Sequence, residues 1–172
     1  MKILAIRLKN LASLAGPFEI DFTAEPLASA GLFAITGPTG AGKSTLLDAL
    51  CLALFGAVPR LSNAQTSAKA PDADGEIGTG DPRTLLRRGT GEGYAEVDFV
   101  GIDGRRYRAR WEANRAREKA GGKLQASRQS LRDIDQDQLL ASQKVEFKIQ
   151  LEAVLGLNFE QFTRAVLLAQ SE

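Results

Sequence analysis

Gly37-Pro38-Thr39-Gly40-Ala41-Gly42-Lys43-Ser44 conforms to G-x-x-x-x-G-K-[ST] and lies between two apolar stretches. Upstream, Leu32-Phe33-Ala34-Ile35-Thr36 is apolar almost throughout and reads as a strand covered on both faces. Downstream, Lys43 to Phe55 sets Leu46, Leu50 and Leu54 at i, i+4 and i+8, with Leu47, Ala49 and Ala53 beside them, which predicts a buried helix. Strand, glycine-rich turn and helix in that order make a phosphate-binding loop. A polyphosphate is held by many backbone N–H groups at once, so the chain must approach it without side chains, and Gly37, Gly40 and Gly42 supply that bare backbone. Lys43 brings a cation to the β- and γ-phosphates, Ser44 offers a hydroxyl to Mg²⁺, and the helix N-terminus adds its positive end. The expected ligand is a nucleoside triphosphate with Mg²⁺.

A chain of 172 residues suits one domain with a real core. Its 22 basic and 21 acidic residues nearly cancel, so a nucleic-acid surface would have to be a local patch. There is no histidine, which excludes a histidine-based catalytic triad, and with a single cysteine a zinc site within this chain is not expected. Cys51 falls in the apolar helix and reads as a small buried side chain. Ile3 to Ile6 is too short for a secretory segment and is bracketed by Lys2 and Arg7, and no stretch approaches bilayer length. A cytoplasmic chain without membrane contact is expected.

Further out, Lys2 to Asn10 and Pro17 to Phe22 carry strand patterns, the second alternating Phe18, Ile20 and Phe22 with Glu19 and Asp21. From Gly56 to Pro82 the composition turns to Gly, Pro, Ser, Asn, Asp and Ala, which predicts a mobile loop over about 56–82. Tyr94 to Gly101 and Arg105 to Glu112 predict a β-hairpin through Ile102-Asp103-Gly104. With Gly104 left-handed in a three-residue loop, Phe99 faces Tyr107, Val97 faces Ala109 and Ala95 faces Trp111. The other face then pairs Asp98 with Arg108 and Glu96 with Arg110, so these arginines are expected in ion pairs rather than as a DNA-reading row. Arg128 and Arg132 fall in an expected third strand of this small sheet. Arg115, Arg117, Lys119 and Lys123 surround Gly121-Gly122 with fewer acidic neighbours; a solvated turn is the commoner origin of such a run, and DNA-phosphate contact is the functional alternative. Ser142 to Leu155 predicts a helix with Val145, Ile149 and Ala153 on one stripe and Gly156 as its stop. A further helix runs through Phe162, Ala165 and Val166, and the chain's end at Ala169-Gln170-Ser171-Glu172, without a turn signal, suggests a cut within a larger protein.

The run from Ile35 to Phe55 resembles the start of the bacterial SbcC ATPases, as do Leu4 to Leu14, Pro59-Arg60-Leu61-Ser62-Asn63, Asn114-Arg115-Ala116-Arg117 and Phe162 to Gln170. The resemblance covers nearly the whole chain and is weakest over 64–82 and 118–142. It implies an α/β fold: a P-loop NTPase of the ABC-ATPase head type, here its N-terminal lobe, with a mixed sheet, a central P-loop helix and an antiparallel β-hairpin subsheet. It also implies a second lobe beyond a long antiparallel coiled coil, a second head closing over two Mg-ATP molecules, double-stranded DNA, a nucleoid-associated place in the cytoplasm and an SbcD-like nuclease partner. Carried over residue by residue, Gly37, Thr39, Gly40, Ala41, Gly42, Lys43, Ser44, Thr45 and Ser13 surround the nucleotide. Ser44 and Gln170 reach Mg²⁺, and Lys43 and Gln170 are the catalytic pair, Gln170 also reaching the attacking water. Two positions depart from the pattern: Ala12 stands where many relatives carry arginine, and Ser171 where glycine follows the glutamine. Nothing after Lys43 offers a strand ending in Asp-Glu, a Ser-Gly-Gly signature or a Cys-x-x-Cys hook, so this stretch alone is expected to bind ATP with negligible turnover. Two other readings share the phosphate loop. One is an SMC- or RecN-like DNA tether without a nuclease; the other is a small-molecule kinase, which would need an arginine-bearing lid that the hairpin does not suggest.

Overall fold

A computed structural model describes residues 1–62, 68–72 and 75–165. In chain order its elements are β1 (Lys2–Lys9), β2 (Phe18–Asp21), α1 (Lys43–Phe55), α2 (Pro59–Ser62), β3 (Lys69–Asp72), β4 (Gly75–Gly78), β5 (Glu92–Val100), β6 (Arg106–Asn114), β7 (Arg128–Asp133), β8 (Gln138–Ala141), α3 (Lys144–Leu155) and α4 (Phe159–Ala165). Six strands form one sheet in the order β2-β1-β5-β6-β7-β8, and β3 and β4 form a separate pair. The chain is thus an α/β domain with a P-loop helix and an antiparallel subsheet, as the sequence predicted.

The hairpin register follows the alternation of its residues. Phe99 lies opposite Tyr107, Val97 opposite Ala109 and Ala95 opposite Trp111, and Gly104 closes the loop at φ 82°. These apolar residues form one core with Leu46, Leu50 and Leu54 of α1 and with Phe147, Leu151 and Leu155 of α3. The opposite face is ion-paired: Arg108 donates to both oxygens of Asp98 at 2.7 Å, Arg7 Nη1 reaches Asp98 Oδ2 at 2.8 Å, and Arg110 Nη1 donates to Glu96 Oε2 at 3.0 Å. Burial pushes the Asp98 carboxyl up, but hydrogen bonds from Arg108 and Arg7 outweigh it and hold the group below the ordinary carboxylate range. A depressed folded-state pKa contributes stability above the unfolded value of about 3.9 and loses it as pH falls through the folded value. Resistance to urea is therefore expected to drop below about pH 4, and Asp98→Asn, weaker at pH 7, to show a shallower acid limb. Equal acid slopes in the two proteins would count against this.

Four expectations are corrected. Residues 32–36 form no strand, and every strand pairing among the described residues is antiparallel, so the expected mixed sheet is not present there. A strand needs a ladder partner on at least one side; this run has none among the described strands, and Leu32 is 94% exposed. Where a loop was expected over 56–82, the described residues form α2 and the β3–β4 pair, and 63–67 and 73–74 lie outside the described residues. Arg60 of α2 binds Asp48 of α1 through Nε at 3.1 Å and Nη2 at 2.5 Å, and that long-range ion pair left no mark in local composition. The predicted stripe of α3 is also the wrong one: Val145 and Ile149 are 74% and 62% exposed, while Phe147, Leu151 and Leu155 are buried. Both stripes repeat at i, i+4 and i+8, and the one with a phenylalanine and two leucines removes more apolar area from water than the one with valine, isoleucine and alanine. The fourth concerns Arg115, described with the site below.

Candidate nucleotide site

The phosphate loop enters α1 through left-handed glycines. Gly37, Gly40 and Gly42 have φ 155°, 83° and 92°, a region that side-chain-bearing residues avoid. Gly42 is also the residue preceding α1, and its carbonyl accepts from the Leu46 N–H at 3.3 Å. Thr39 and Ala41 are exposed on the loop and Ser44 is exposed on the first turn of α1, whereas Thr45 is buried against the core. Lys43 Nζ donates to the carbonyls of Gly37 and Pro38 at 2.6 and 2.8 Å, which folds the ammonium into the curve of the loop. The exposed loop, the N-terminus of α1 and the Lys43 cation thus lie together, an arrangement suited to an anion.

The rest of α1 explains why the loop is held firmly. Leu46, Leu50, Leu52 and Leu54 are buried and Leu47 alone of its leucines is exposed. Burial pushes the Cys51 thiol up to about 12, so this side chain is an inert packing group.

A second segment meets the loop. Residues 10–15 form a tight turn in which Leu11 and Leu14 exchange backbone hydrogen bonds at 3.0 and 2.9 Å. Leu14 packs so close to Gly42 that a Cβ there would lie 2.7 Å from Leu14 Cδ2. Ser13, expected beside the nucleotide, is exposed on this turn and immediately precedes the Leu14 that meets Gly42. Gln170, expected on Mg²⁺ and the attacking water, lies outside the described residues. The residue that local reading missed is Arg87: its Nη1 donates to the carbonyls of Ala12 and Ser13 at 3.1 and 2.8 Å. No spacing signal announces a contact between positions so far apart in the chain.

The basic segment divides in two. Arg115, one of the four expected DNA contacts, is instead bound to Asp72 of β3 at 2.6 Å and to the Gly122 carbonyl at 3.1 Å. Its side chain is only 13% exposed. Its charge is used to tie β3 to the loop after β6, a role invisible from sequence because Asp72 lay in the stretch read as mobile. Arg117, Lys119 and Lys123 are at least partly exposed. Because Lys9 pairs with Tyr94, Tyr94 with Glu112 and Glu112 with Arg128, the turn at residues 10–15 and this basic loop leave the sheet at the same end.

A family model described as an AAA domain matches residues 5–172. The chain belongs to this family. Over its whole length this AAA domain is 71% identical to a protein of Pseudomonas aeruginosa named as the SbcC component of the nuclease SbcCD, and 56% identical to one of the same name from Rhodobacter capsulatus. It is 28% identical to a probable DNA double-strand break repair Rad50 ATPase of Aquifex aeolicus. Each of these matches takes in 100% of the AAA domain but only 14% of the relative. The resemblance to SbcC drawn from the sequence is borne out. Among the described residues no helix is long and apolar enough to cross a membrane.

Proposed function

We propose that this domain is the ATP-binding lobe of an SbcC-type ATPase, which couples ATP binding and hydrolysis to the processing of DNA ends and hairpins by a partner nuclease in double-strand break repair and recombination. The observation that carries this reading is the 71% identity to a protein named as the SbcC component of a nuclease, which spans the whole chain and not the phosphate loop alone. In this reading Gly37 to Thr45 hold the triphosphate with Ser13 alongside, Ser44 and Gln170 hold Mg²⁺, and Lys43 and Gln170 stabilise the charge that develops on phosphoryl transfer. Mg²⁺ held by Ser44 and Gln170 would supply positive charge that offsets the negative charge of the phosphates. Further chain supplies a coiled coil and a second lobe, two heads close over two nucleotides, and an SbcD-like partner brings the nuclease. The complex works in the cytoplasm on nucleoid DNA. The deciding experiment is DNA-end degradation by the full-length protein co-purified with its nuclease partner. ATP-dependent degradation that Lys43→Ala abolishes supports the reading; tethering of DNA without any nuclease would favour the SMC-like alternative.

Double-stranded DNA lies, in this reading, along Arg117, Lys119 and Lys123, at the sheet end shared with the nucleotide-side turn. Each phosphate contact contributes about 0.9 to the slope of log affinity against log salt. Replacing these three residues with alanine is expected to lower affinity roughly tenfold or more at low salt and to cut the slope by about 2–3. Arg108→Gln, which removes a partner of Asp98, is expected to leave the slope unchanged. A slope altered by Arg108→Gln and not by the triple replacement would move DNA to the ion-paired face.

A further inference from the structure

Most arginines of the described chain pair with a carboxylate, as Arg7, Arg83, Arg108 and Arg115 do. Arg87, among the described residues, does not: its Nη1 donates to the carbonyls of Ala12 and Ser13. The backbone beside it runs along the same turn. Arg87 N–H donates to the Asn10 carbonyl at 2.9 Å and the Leu85 carbonyl accepts from Ala12 N–H at 2.8 Å, while Leu86 bridges to Leu11. The turn so clasped is an unusual one. Asn10 and Ala12 sit at φ 53° and 46°, left-handed conformations that residues with a Cβ keep only when their surroundings hold them there. On its far side Leu14 fills the space over Gly42, the residue at which the phosphate loop becomes α1.

We propose that Arg87 is a positioning residue of the nucleotide site: by fixing the carbonyls of Ala12 and Ser13 it holds Leu14 against Gly42 and so sets the phosphate loop in its binding shape. The inference rests on the reading of that loop as the ATP site. A guanidinium suits the task because its donors lie in one rigid plane and the hydrogen bonds of a cation to carbonyls are stronger than neutral ones. Without Arg87 the two carbonyls turn to water and the left-handed turn loses a restraint. Leu14 is then free to shift, and the loop must be ordered by the nucleotide itself, which costs affinity.

The test uses the full-length protein with its nuclease partner and measures ATPase rates and Mg-ATP binding for wild type, Arg87→Ala, Arg87→Lys and Lys43→Ala. Arg87→Ala is expected to raise KM for ATP about tenfold, the equivalent of losing one charge-assisted hydrogen bond. kcat should stay within about twofold, because the group does not touch the reacting atoms. Arg87→Lys should recover most of the affinity, since an ammonium still donates to the same carbonyls. An unchanged KM in Arg87→Ala overturns the proposal, and so does a loss of activity in step with a loss of folded protein that lysine does not rescue. If wild type binds Mg-ATP no better than Lys43→Ala, the nucleotide reading itself falls and this inference with it; if wild type binds and Arg87→Ala binds equally well, only the role of Arg87 falls.

Discussion

Lys43→Ala is expected to weaken Mg-ATP binding by about a hundredfold or more while leaving the domain folded. The ammonium is already drawn into the loop by the Gly37 and Pro38 carbonyls, so a triphosphate arriving there finds its cation in place, with little reorganisation to supply. Charge-assisted hydrogen bonds contribute about 1.5–3 kcal/mol each, and two of them to phosphate oxygens amount to roughly 3–6 kcal/mol, or about two to four orders of magnitude in Kd. The fold is insulated from the change because Lys43 is the first residue of α1, and alanine has the highest helix propensity there. Isothermal titration of Mg-ATP, with thermal denaturation in its absence as the control, checks both halves. Retained binding would mean that the loop does not hold phosphate. A collapse of the ligand-free melting midpoint would mean that Lys43 is a structural group.

Trp111→Ala is expected to cost the domain about 3–5 kcal/mol, a large share of the roughly 5–15 kcal/mol that holds a typical domain together. Trp111 is 1% exposed and is the largest of the fully buried side chains. It lies between Ala95 of β5 and Gln129 of β7 on the face that meets α1 and α3. Both neighbours are too short or too polar to fill the space its indole leaves, so the cavity term adds to the lost transfer term. Its Nε1 has no hydrogen-bond partner among the described residues. Packing therefore accounts for its contribution, and Trp111→Phe should lose less than half as much as Trp111→Ala. Thermal denaturation followed by circular dichroism decides: equal losses in the two variants would assign the stability to the indole N–H instead.

What local pattern can express was legible in advance. The glycines, Lys43 and Ser44 of the phosphate loop could be read together because the motif is a run of consecutive residues. The hairpin register could be worked out because a shift of one residue would have set Phe99 against Arg108 and Glu96 against Trp111. Local pattern was silent or misleading wherever two distant segments compete or combine. The buried stripe of α3 was misread because two apolar stripes of equal period run along it, and only the sheet beneath selects between them. Residues 56–82 were read as loop from composition alone, which carries no sign of the ion pairs that Arg60 makes with Asp48 and Arg115 with Asp72 in the described parts of that stretch.

The sequence by itself determined that this chain carries a phosphate-binding loop on a buried helix and a hairpin with an apolar face and an ion-paired face, since both depend on spacing along the chain. Tertiary structure alone decided which cations are free to act. Arg115 and Arg117 are two positions apart and chemically identical, yet one is bound to Asp72 and the other is exposed. Arg87 reaches the turn at residues 10–15 because antiparallel pairing of β1 with β5 brings their neighbouring segments to the same end of the sheet. The physical reason is that a side chain's charge is set by its type, whereas its partner is set by which segments folding brings within a few ångströms.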